Sequence, residues 1–321
     1  SQLEAKDFDR IFNAIHRLFD VSHCQEITLE ANPDNMTPEY VASLRSLPFN
    51  RVSMGVQSFK EEDLRFLNRR HNREQALRAV DLCKKNGLSN ISIDLIYGLP
   101  GQTVKEWEAN LDTTIRLDIP HISAYHLIYE EGTALYKLKE AGKISPVEEE
   151  ISVALFTSLI ERLTANGYQQ YEISNFARPG YACAHNLGYW RQVPYLGLGV
   201  GAASMLPGRQ SGEAYRRRTN VRDLASYLRQ GETGNFAPAE EESITPAEAC
   251  FETMMLGLRT SEGVSERAFM AMHGVPLEQM YGQRLTALAS RGLMEKHGEW
   301  WRLTRRGMDV QNAVLVELME E

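Results

Sequence analysis

Carboxylate, amide and guanidinium side chains recur at or just beyond the ends of successive apolar runs in this sequence. Glu30 and Asp94 interrupt two of the runs. Gln57 closes another, and Arg69 follows the helical stretch after it. An ionised carboxylate in an apolar run must find a partner, and a salt bridge to a helix cap or to Arg51 would satisfy either one alone. Because the carboxyl ends of parallel strands meet at one edge of a barrel-like sheet, the recurrence of such groups predicts a shared small-molecule site.

The elements that must position these residues alternate between strand and helix as far as about residue 130. Apolar spacing and turn residues predict the order helix 5–19, strand 27–31, a helix from 37, strand 51–57, helices 61–68 and 73–86, strand 90–97, helix 103–117 and strand 121–129. Such alternation is typical of parallel strands joined by helical crossovers. Since the chain opens on a helix with no strand before it, we expect an α/β barrel that lacks its first strand or strands.

The sequence after residue 130 predicts an extension of this barrel, linker loops and a separate C-terminal domain. An amphipathic helix at 145–166 and an aromatic, glycine-rich stretch to residue 205 complete a first domain, 1–205. The polar segment 206–245 is broken by Gly and Pro and predicts linker loops around a short helix near 223–228. Three helical segments, a hairpin and a last helix follow in 246–321, an order that resembles a winged-helix domain.

Bulk composition excludes several classes of protein. The chain has 321 residues and a net charge of −8, which disfavours a broad surface for neutralising phosphates, and acidic residues outnumber basic ones in 246–321 as well. We therefore expect no nucleic-acid partner. No run approaches the roughly 20 apolar residues of a membrane helix, and no signal peptide opens the chain. The four cysteines lie far apart, which predicts reduced thiols in a cytoplasmic protein.

Several motifs together resemble one family. EANPDNMTPE, NRVSMGVQSF, LNRRH and NISIDLIYGLPGQT, followed by the YxxYExSxFxxPG pattern at 168–180, are similar to the barrel motifs of the radical S-adenosylmethionine (SAM) proteins, in their coproporphyrinogen oxidase and haem-chaperone branches. The resemblance implies a partial radical-SAM (β/α)6 barrel. It also implies that Glu30 binds the α-amino group of SAM, Arg69 its carboxylate, and Gln57 and Asp94 the ribose hydroxyls. The residue types suit those groups.

The sequence departs from this family in one respect. The family places a CxxxCxxC triad, which holds a 4Fe–4S cluster, and a Gly-Gly-Thr-Pro turn near its first strand, and neither occurs in the chain. Ser1 resembles a position just after that turn. We therefore expect no metal site for the cluster in this chain, and no reductive cleavage of SAM by the chain as given, with the cluster confined to a full-length protein.

The HNLGYW segment supplies a second candidate site. Its HNxxYW pattern resembles the haem-chaperone branch and implies that His185 contributes to haem binding, with Tyr189 or Trp190 against the macrocycle. The alternative is a histidine packed in a core turn, and His121 and His126 are further candidates for the iron. The run of three arginines at 216–218 predicts either a binding site for haem propionates or a solvated loop.

The resemblance implies a function for the whole chain. It favours a haem-binding and haem-delivery protein on a radical-SAM scaffold, with SAM, haem and acceptor haemoproteins as its ligands and partners, and with peripheral contact to membrane respiratory proteins. The alternative is an oxygen-independent coproporphyrinogen III oxidase, which decarboxylates propionates to vinyl groups. The HNxxYW pattern favours the first function.

Overall fold

A computed structural model describes residues 2–319, which divide into two compact units, one ending at residue 184 and the other beginning at residue 185. The elements of the first unit are α1 (Ala5–Leu18), β1 (Thr28–Ala31), α2 (Pro38–Ser43), β2 (Arg51–Gln57), α3 (Glu61–Phe66), α4 (Arg73–Lys85), β3 (Ile91–Tyr97), α5 (Val104–Arg116), β4 (His121–His126), α6 (Ala134–Glu140), α7 (Glu149–Ala165), β5 (Gln169–Gln170) and β6 (Asn175–Ala177). The predicted strand–helix alternation is confirmed, although β4 ends earlier than the sequence suggested.

Local chemistry explains where these elements begin and end. Thr37 caps α2 by accepting a hydrogen bond from the backbone of Tyr40, and Pro38 occupies the first helical position. The helices α4 and α5 each begin with a capping box, formed at Asn72 and at Thr103. The chain leaves α4 through Gly87, whose φ of +85° lies in the left-handed region that glycine adopts freely.

The first unit is built on a six-stranded sheet in the order β1-β2-β3-β4-β6-β5. The strands β1 to β4 are parallel, and β6 is antiparallel to both β4 and β5. One face of the parallel strands is apolar and is buried against residues of α4, α5 and α7, such as Val80, Trp107 and Leu159. Helices thus cover the face that carries Leu29, Val52 and the apolar residues in register with them, which leaves the opposite face for polar side chains.

The second unit contains two smaller sheets. Its elements are α8 (Ala184–Trp190, which begins at the last residue of the first unit), β7 (Ala203–Pro207), β8 (Tyr215–Thr219), α9 (Leu224–Thr233), β9 (Glu240–Ile244), α10 (Pro246–Gly257), β10 (Val264–Ser265), α11 (Glu266–His273), α12 (Leu277–Ser290), β11 (Met294–His297), β12 (Trp300–Leu303), α13 (Arg305–Asp309) and α14 (Gln311–Met319). The order β10-β12-β11 beside α10, α11 and α12 confirms the winged-helix arrangement expected for the end of the chain.

The structure differs from the linker loops predicted for 206–245. The strands β7, β8 and β9 form an antiparallel sheet, with β8 in the centre. Arginines on β8 stand opposite glutamates on β9, for example Arg217 opposite Glu242 and Arg218 opposite Glu241. Opposite charges across antiparallel strands stabilise the pairing, so a strand pair forms here without the apolar alternation by which strands are usually predicted. Among the described residues, no helix is both long and apolar enough to span a membrane.

Candidate functional site

A polar face on the parallel sheet of the first unit forms the first candidate site. In register across β1 to β4, Glu30 stands beside Ser53, Ser53 beside Ser92, and Asp94 beside Ser123. Side chains alternate along a strand, so these residues share the face opposite the helices. We call this set the polar face; it comprises Thr28, Glu30, Arg51, Ser53, Ser92, Asp94, His121 and Ser123.

Glu30 and Asp94 interact electrostatically on the polar face. Burial is the main cause that raises the pKa of the Asp94 carboxyl, and the negative charge of Glu30 adds to the increase. Hydrogen bonds from Ser123 and Ser53 and the charge of Arg51 oppose the shift, and the resulting pKa is about 6. The guanidinium of Arg51 is buried, and its Nε finds no hydrogen-bond acceptor among the described residues. The face therefore presents a partly exposed carboxylate, a carboxyl that titrates just below neutrality and a buried cation.

Gln57 lies at an irregularity in β2, where the register with β3 shifts after Met54. Its φ of +68° is unusual for a residue that is not glycine. The side chain folds back over Gly55: a Cβ placed on that glycine would lie 2.9 Å from Nε2 of Gln57 and 3.8 Å from Oδ1 of Asn32. Glycine at 55 thus leaves the space that the Gln57 amide occupies beside the carboxyl end of β1.

A buried network holds the backbone directly after Gln57. The hydroxyl of Ser58 donates to Asp63 over 2.7 Å, and the backbone N–H of Phe59 donates to Oδ1 of Asn110 over 2.6 Å. Burial raises the pKa of Asp63. Ser58, Asp63 and Asn110 are all buried, and they join the end of β2 to α3 and α5. Nothing in the sequence identified this support, because Asn110 is some fifty residues away along the chain.

Arg69 follows α3 and approaches the same end of β2 through His71. The His71 ring bonds the carbonyl oxygen of Val56 over 2.9 Å, and the positive charge of Arg69 contributes to lowering the pKa of His71, which burial chiefly depresses. Nε of Arg69 is buried and without a hydrogen-bond acceptor in the part of the chain that the structure describes. The structure therefore brings Glu30, Asp94 and Gln57 to one face and Arg69 to the carboxyl end of β2, and their role in binding SAM stays a prediction.

The other histidines proposed for the iron are already engaged in the first unit. His121 is fully buried, with Ser92 Oγ 2.7 Å from Nδ1 and the Tyr171 hydroxyl 2.8 Å from Nε2. Burial lowers the pKa of His121 to about 3, so the ring is neutral. The ring nitrogens of His126 lie within hydrogen-bond distance of the Leu127 carbonyl and the Ser152 hydroxyl. Neither ring presents a free nitrogen to a ligand.

The residues of the HNxxYW segment divide between two surfaces of α8. His185 is exposed, and its ring meets the ring of Tyr189 edge to face at a centroid distance of 4.6 Å. Tyr189 packs in turn against Tyr195, with ring centroids 4.7 Å apart. Trp190 instead lines a cavity between α8, α10 and α11. His185 is therefore accessible rather than packed in a core, and Tyr189 rather than Trp190 lies against it.

The arginine run at 216–218 does not form a free anion site. Arg216 is buried and bonds Glu241 over 3.1 Å. Arg217 pairs with Glu242 and Glu252, and Arg218 donates to the carbonyl oxygen of Phe236. Each of the three guanidinium groups has a partner within the second unit, although Nε of Arg216 finds no acceptor among the described residues. The run is part of a strand rather than a solvated loop, and its binding of propionates stays a prediction.

The cysteines do not fit an iron–sulfur cluster. Cys83, Cys183 and Cys250 are buried, Cys24 is exposed, and Cys250 belongs to the core of the second unit. Burial raises the pKa of the Cys83 thiol to about 12, which keeps it protonated, whereas a cluster is held by thiolates. Within residues 2–319, no three His, Cys, Asp or Glu side chains are grouped so that they could hold a metal ion.

Two family models match the chain. The model described as the radical SAM superfamily matches residues 5–113, and the HemN C-terminal domain matches residues 244–310. The first match contains Glu30, Gln57, Arg69 and Asp94. The second covers most of the winged-helix part of the second unit.

Curated relatives match almost the whole chain. Heme chaperone HemW of Bacillus subtilis is 32% identical over 322 residues, which span 100% of this chain and 83% of the relative. The HemW chaperone of Lactococcus lactis is 31% identical over 99% of this chain and 82% of its own length. Among solved structures, coproporphyrinogen III oxidase (HemN) of Escherichia coli, described as a radical SAM enzyme, matches with a TM-score of 0.79 over 98% of this chain and 74% of that chain. Its identity is 21%, so this likeness shows the fold alone.

Proposed function

Because the chain belongs to the heme chaperone HemW family of the radical SAM superfamily, we propose that it binds haem and delivers it to acceptor haemoproteins, and that the polar face binds SAM. The observation that carries the haem proposal is the exposed imidazole of His185, supported on one side by Tyr189. A neutral imidazole is a common axial ligand of haem iron. Exposure suits delivery, since the acceptor must reach the iron that the donor releases.

The chemistry of the polar face supports SAM as its ligand. SAM brings an ammonium, a carboxylate and a ribose diol to the site. Glu30 offers a partly exposed carboxylate for the ammonium, and the unpaired Nε of Arg69 offers a donor for the carboxylate. Gln57 and Asp94 offer acceptors for the diol. The buried Nε of Arg69 supports SAM as the ligand, because a buried donor without an acceptor is stabilised when the carboxylate of a ligand supplies one.

The cluster is not part of this proposal, because the cysteines of the chain do not provide a ligand set for it. We propose that the protein is cytoplasmic and that its haem acceptors include respiratory haemoproteins of the membrane, which it contacts peripherally. The separated thiols support a cytoplasmic location. The net charge of −8 disfavours nucleic acid as a partner.

A haem titration with a matched pair of histidine variants tests the haem proposal. We expect the protein to bind ferric haem with a Soret band that moves in His185→Ala, together with weaker binding. His23→Ala removes another exposed histidine and should bind as the unchanged protein does. Equal spectra and affinities in His185→Ala and His23→Ala would show that His185 does not ligate the iron. If the wild-type protein bound no haem, the proposed function would be wrong.

A further inference from the structure

A cavity of about 310 Å³ lies within the second unit. Residues of α8, α10, β10, α11 and β12 enclose it. Trp190 and Trp300 contribute indole rings, and Phe269 and Met272 contribute further apolar surface. Its volume lies at the lower end of the range of small-molecule pockets, which is roughly 300–1,000 Å³. The cavity is therefore large enough to hold part of a ligand of the size of a macrocycle.

The walls of the cavity favour a flat apolar ligand. Aromatic rings and a thioether adapt to the face and edge of a conjugated ring system and supply most of their stabilisation through burial. Two of the lining residues, Phe269 and Val264, are almost completely buried and belong to the core of the second unit. A ligand that enters would therefore meet a packed wall rather than a mobile one.

A cation and a carboxylate lie at the lining of the same cavity. Arg191 donates to Glu262 over 2.8 Å, and both side chains are about half exposed. An exposed ion pair of this kind is worth little in free energy, so a carboxylate of a ligand can replace Glu262 as the partner of Arg191. The cavity thus combines an apolar interior with an arginine available for a ligand carboxylate.

Trp190 connects the cavity to the HNxxYW segment. In α8, His185 and Tyr189 lie against each other on the exposed side, whereas Trp190 lines the cavity. The segment therefore offers an iron ligand on one surface and an aromatic wall on another, and a single short helix carries both.

We propose that this cavity is a porphyrin subsite, which receives the apolar edge of the macrocycle while Arg191 binds a propionate. The inference rests on the proposed function, since it takes haem as the ligand of this chain. It extends that function by assigning the apolar part of the binding free energy to residues of α10, α11 and β12. The subsite recognises the ring system itself, so the iron is not required for binding there.

Metal-free protoporphyrin IX is the probe that separates this subsite from iron ligation. Ala268 lines the cavity and is exposed, so Ala268→Trp fills the opening without disturbing the core. Its neighbour Arg267 is exposed and lies outside the lining, which makes Arg267→Trp the matched control. Fluorescence titration should show at least about a tenfold loss of affinity in Ala268→Trp, because apolar burial at the opening is lost. Arg267→Trp should bind as the unchanged protein does.

Ala268→Glu provides a second variant, which adds a charge at the opening instead of a ring and should weaken binding in the same direction. Thermal unfolding of each variant checks that the fold is retained. Equal affinities in Ala268→Trp and Arg267→Trp would overturn the inference. So would an unchanged protein that binds haem but not metal-free protoporphyrin IX, a result that leaves the proposed function standing. An unchanged protein that binds neither would overturn the proposed function and the inference together.

Discussion

The polar face of the first unit and the α8 segment of the second unit carry their candidate residues in different ways. On the polar face, Glu30 and Asp94 lie on regular strands, and the register between strands fixes their separation. In α8, His185 and Trp190 lie on a helix of seven residues and reach different surfaces. Rigid strands support a site whose groups must act on one ligand together, whereas the short helix distributes its side chains over two surfaces.

The two regions also differ in how much charge they bury. The polar face concentrates charge in a partly buried place, and its carboxyl at Asp94 has a raised pKa as a result. Burying charged groups lowers the free energy of unfolding, and functional sites commonly contain such groups because ligand binding requires them. The exposed pair of His185 and Tyr189 requires no comparable burial of charge. Variants on the polar face should therefore change stability, ligand affinity or both in ways that reveal this difference.

Asn110→Ala should have the largest effect on stability. It removes the acceptor of the buried Phe59 N–H, whereas the Ser58 hydroxyl keeps Asp63 as its acceptor. A buried donor left without an acceptor costs about 1–3 kcal/mol, so we expect a loss of about 3 kcal/mol in the free energy of unfolding. Denaturant unfolding measures it, with Asn13→Ala on the exposed side of α1 as the control. Equal stability of the two variants would show that the network does not support the end of β2.

Asp94→Asn should stabilise the protein near neutral pH. The folded state holds the Asp94 proton up to a pKa of about 6, above the ordinary value of 3.8, so ionisation of this group opposes folding as the pH rises from about 4 to about 6. Above that window the variant should gain about 2 kcal/mol, less than the full shift implies because the carboxyl is partly hydrated. Below pH 4 the gain should vanish.

Unfolding free energies measured from pH 4 to pH 8 test this sign. A gain that is the same at every pH would contradict the raised pKa as its cause. The same variant should bind SAM more weakly, because an amide is a poorer acceptor than a carboxylate for the ribose hydroxyls. If Asp94→Asn were more stable and also bound SAM more tightly, Asp94 would not be a residue that lowers stability in order to bind SAM.

Gly55→Ala should leave stability nearly unchanged and act on the ligand instead. The only contact of the added Cβ closer than an ordinary van der Waals distance would be with the end of the Gln57 side chain, at 2.9 Å, so the amide must shift from its position. We expect a change in stability within about 0.5 kcal/mol and a loss of SAM affinity in calorimetry. Gly231→Ala in α9 is the control, since a Cβ there meets Phe236 at 3.9 Å, an ordinary contact. Unchanged affinity in Gly55→Ala would place Gln57 outside the site.

The sequence was sufficient for the parallel strands and for Gln57 at the end of β2, whereas Asp94 lies in the middle of β3 rather than at its end. The apolar runs with turn residues predicted β2 at its observed bounds, and Asn72 and Thr103 begin helices as their types predict. It failed for β8, because its arginines are held by glutamates on β9 that lie more than twenty residues away. A pattern of polar residues shows no alternation of burial, so such a strand is visible only once its partner is known.

The supporting contacts of the polar face could not be predicted for a related reason. The bonds of His121 with Tyr171, and of Phe59 with Asn110, join residues about fifty positions apart. Only the fold determines which of the many buried polar residues meet. The sequence therefore provides candidates for the site residues, but it does not show which residues hold those candidates in place.

Calorimetry with SAM is the most direct test of the claim that the polar face is a cofactor site. The unchanged protein should bind one SAM per chain. Arg69→Ala removes the buried donor without a partner and should weaken binding at least about tenfold, the loss expected for one charge-assisted hydrogen bond. Arg70→Ala, an exposed neighbour, should bind as the unchanged protein does. Equal affinities for Arg69→Ala and Arg70→Ala, or no binding by the unchanged protein, would contradict the account.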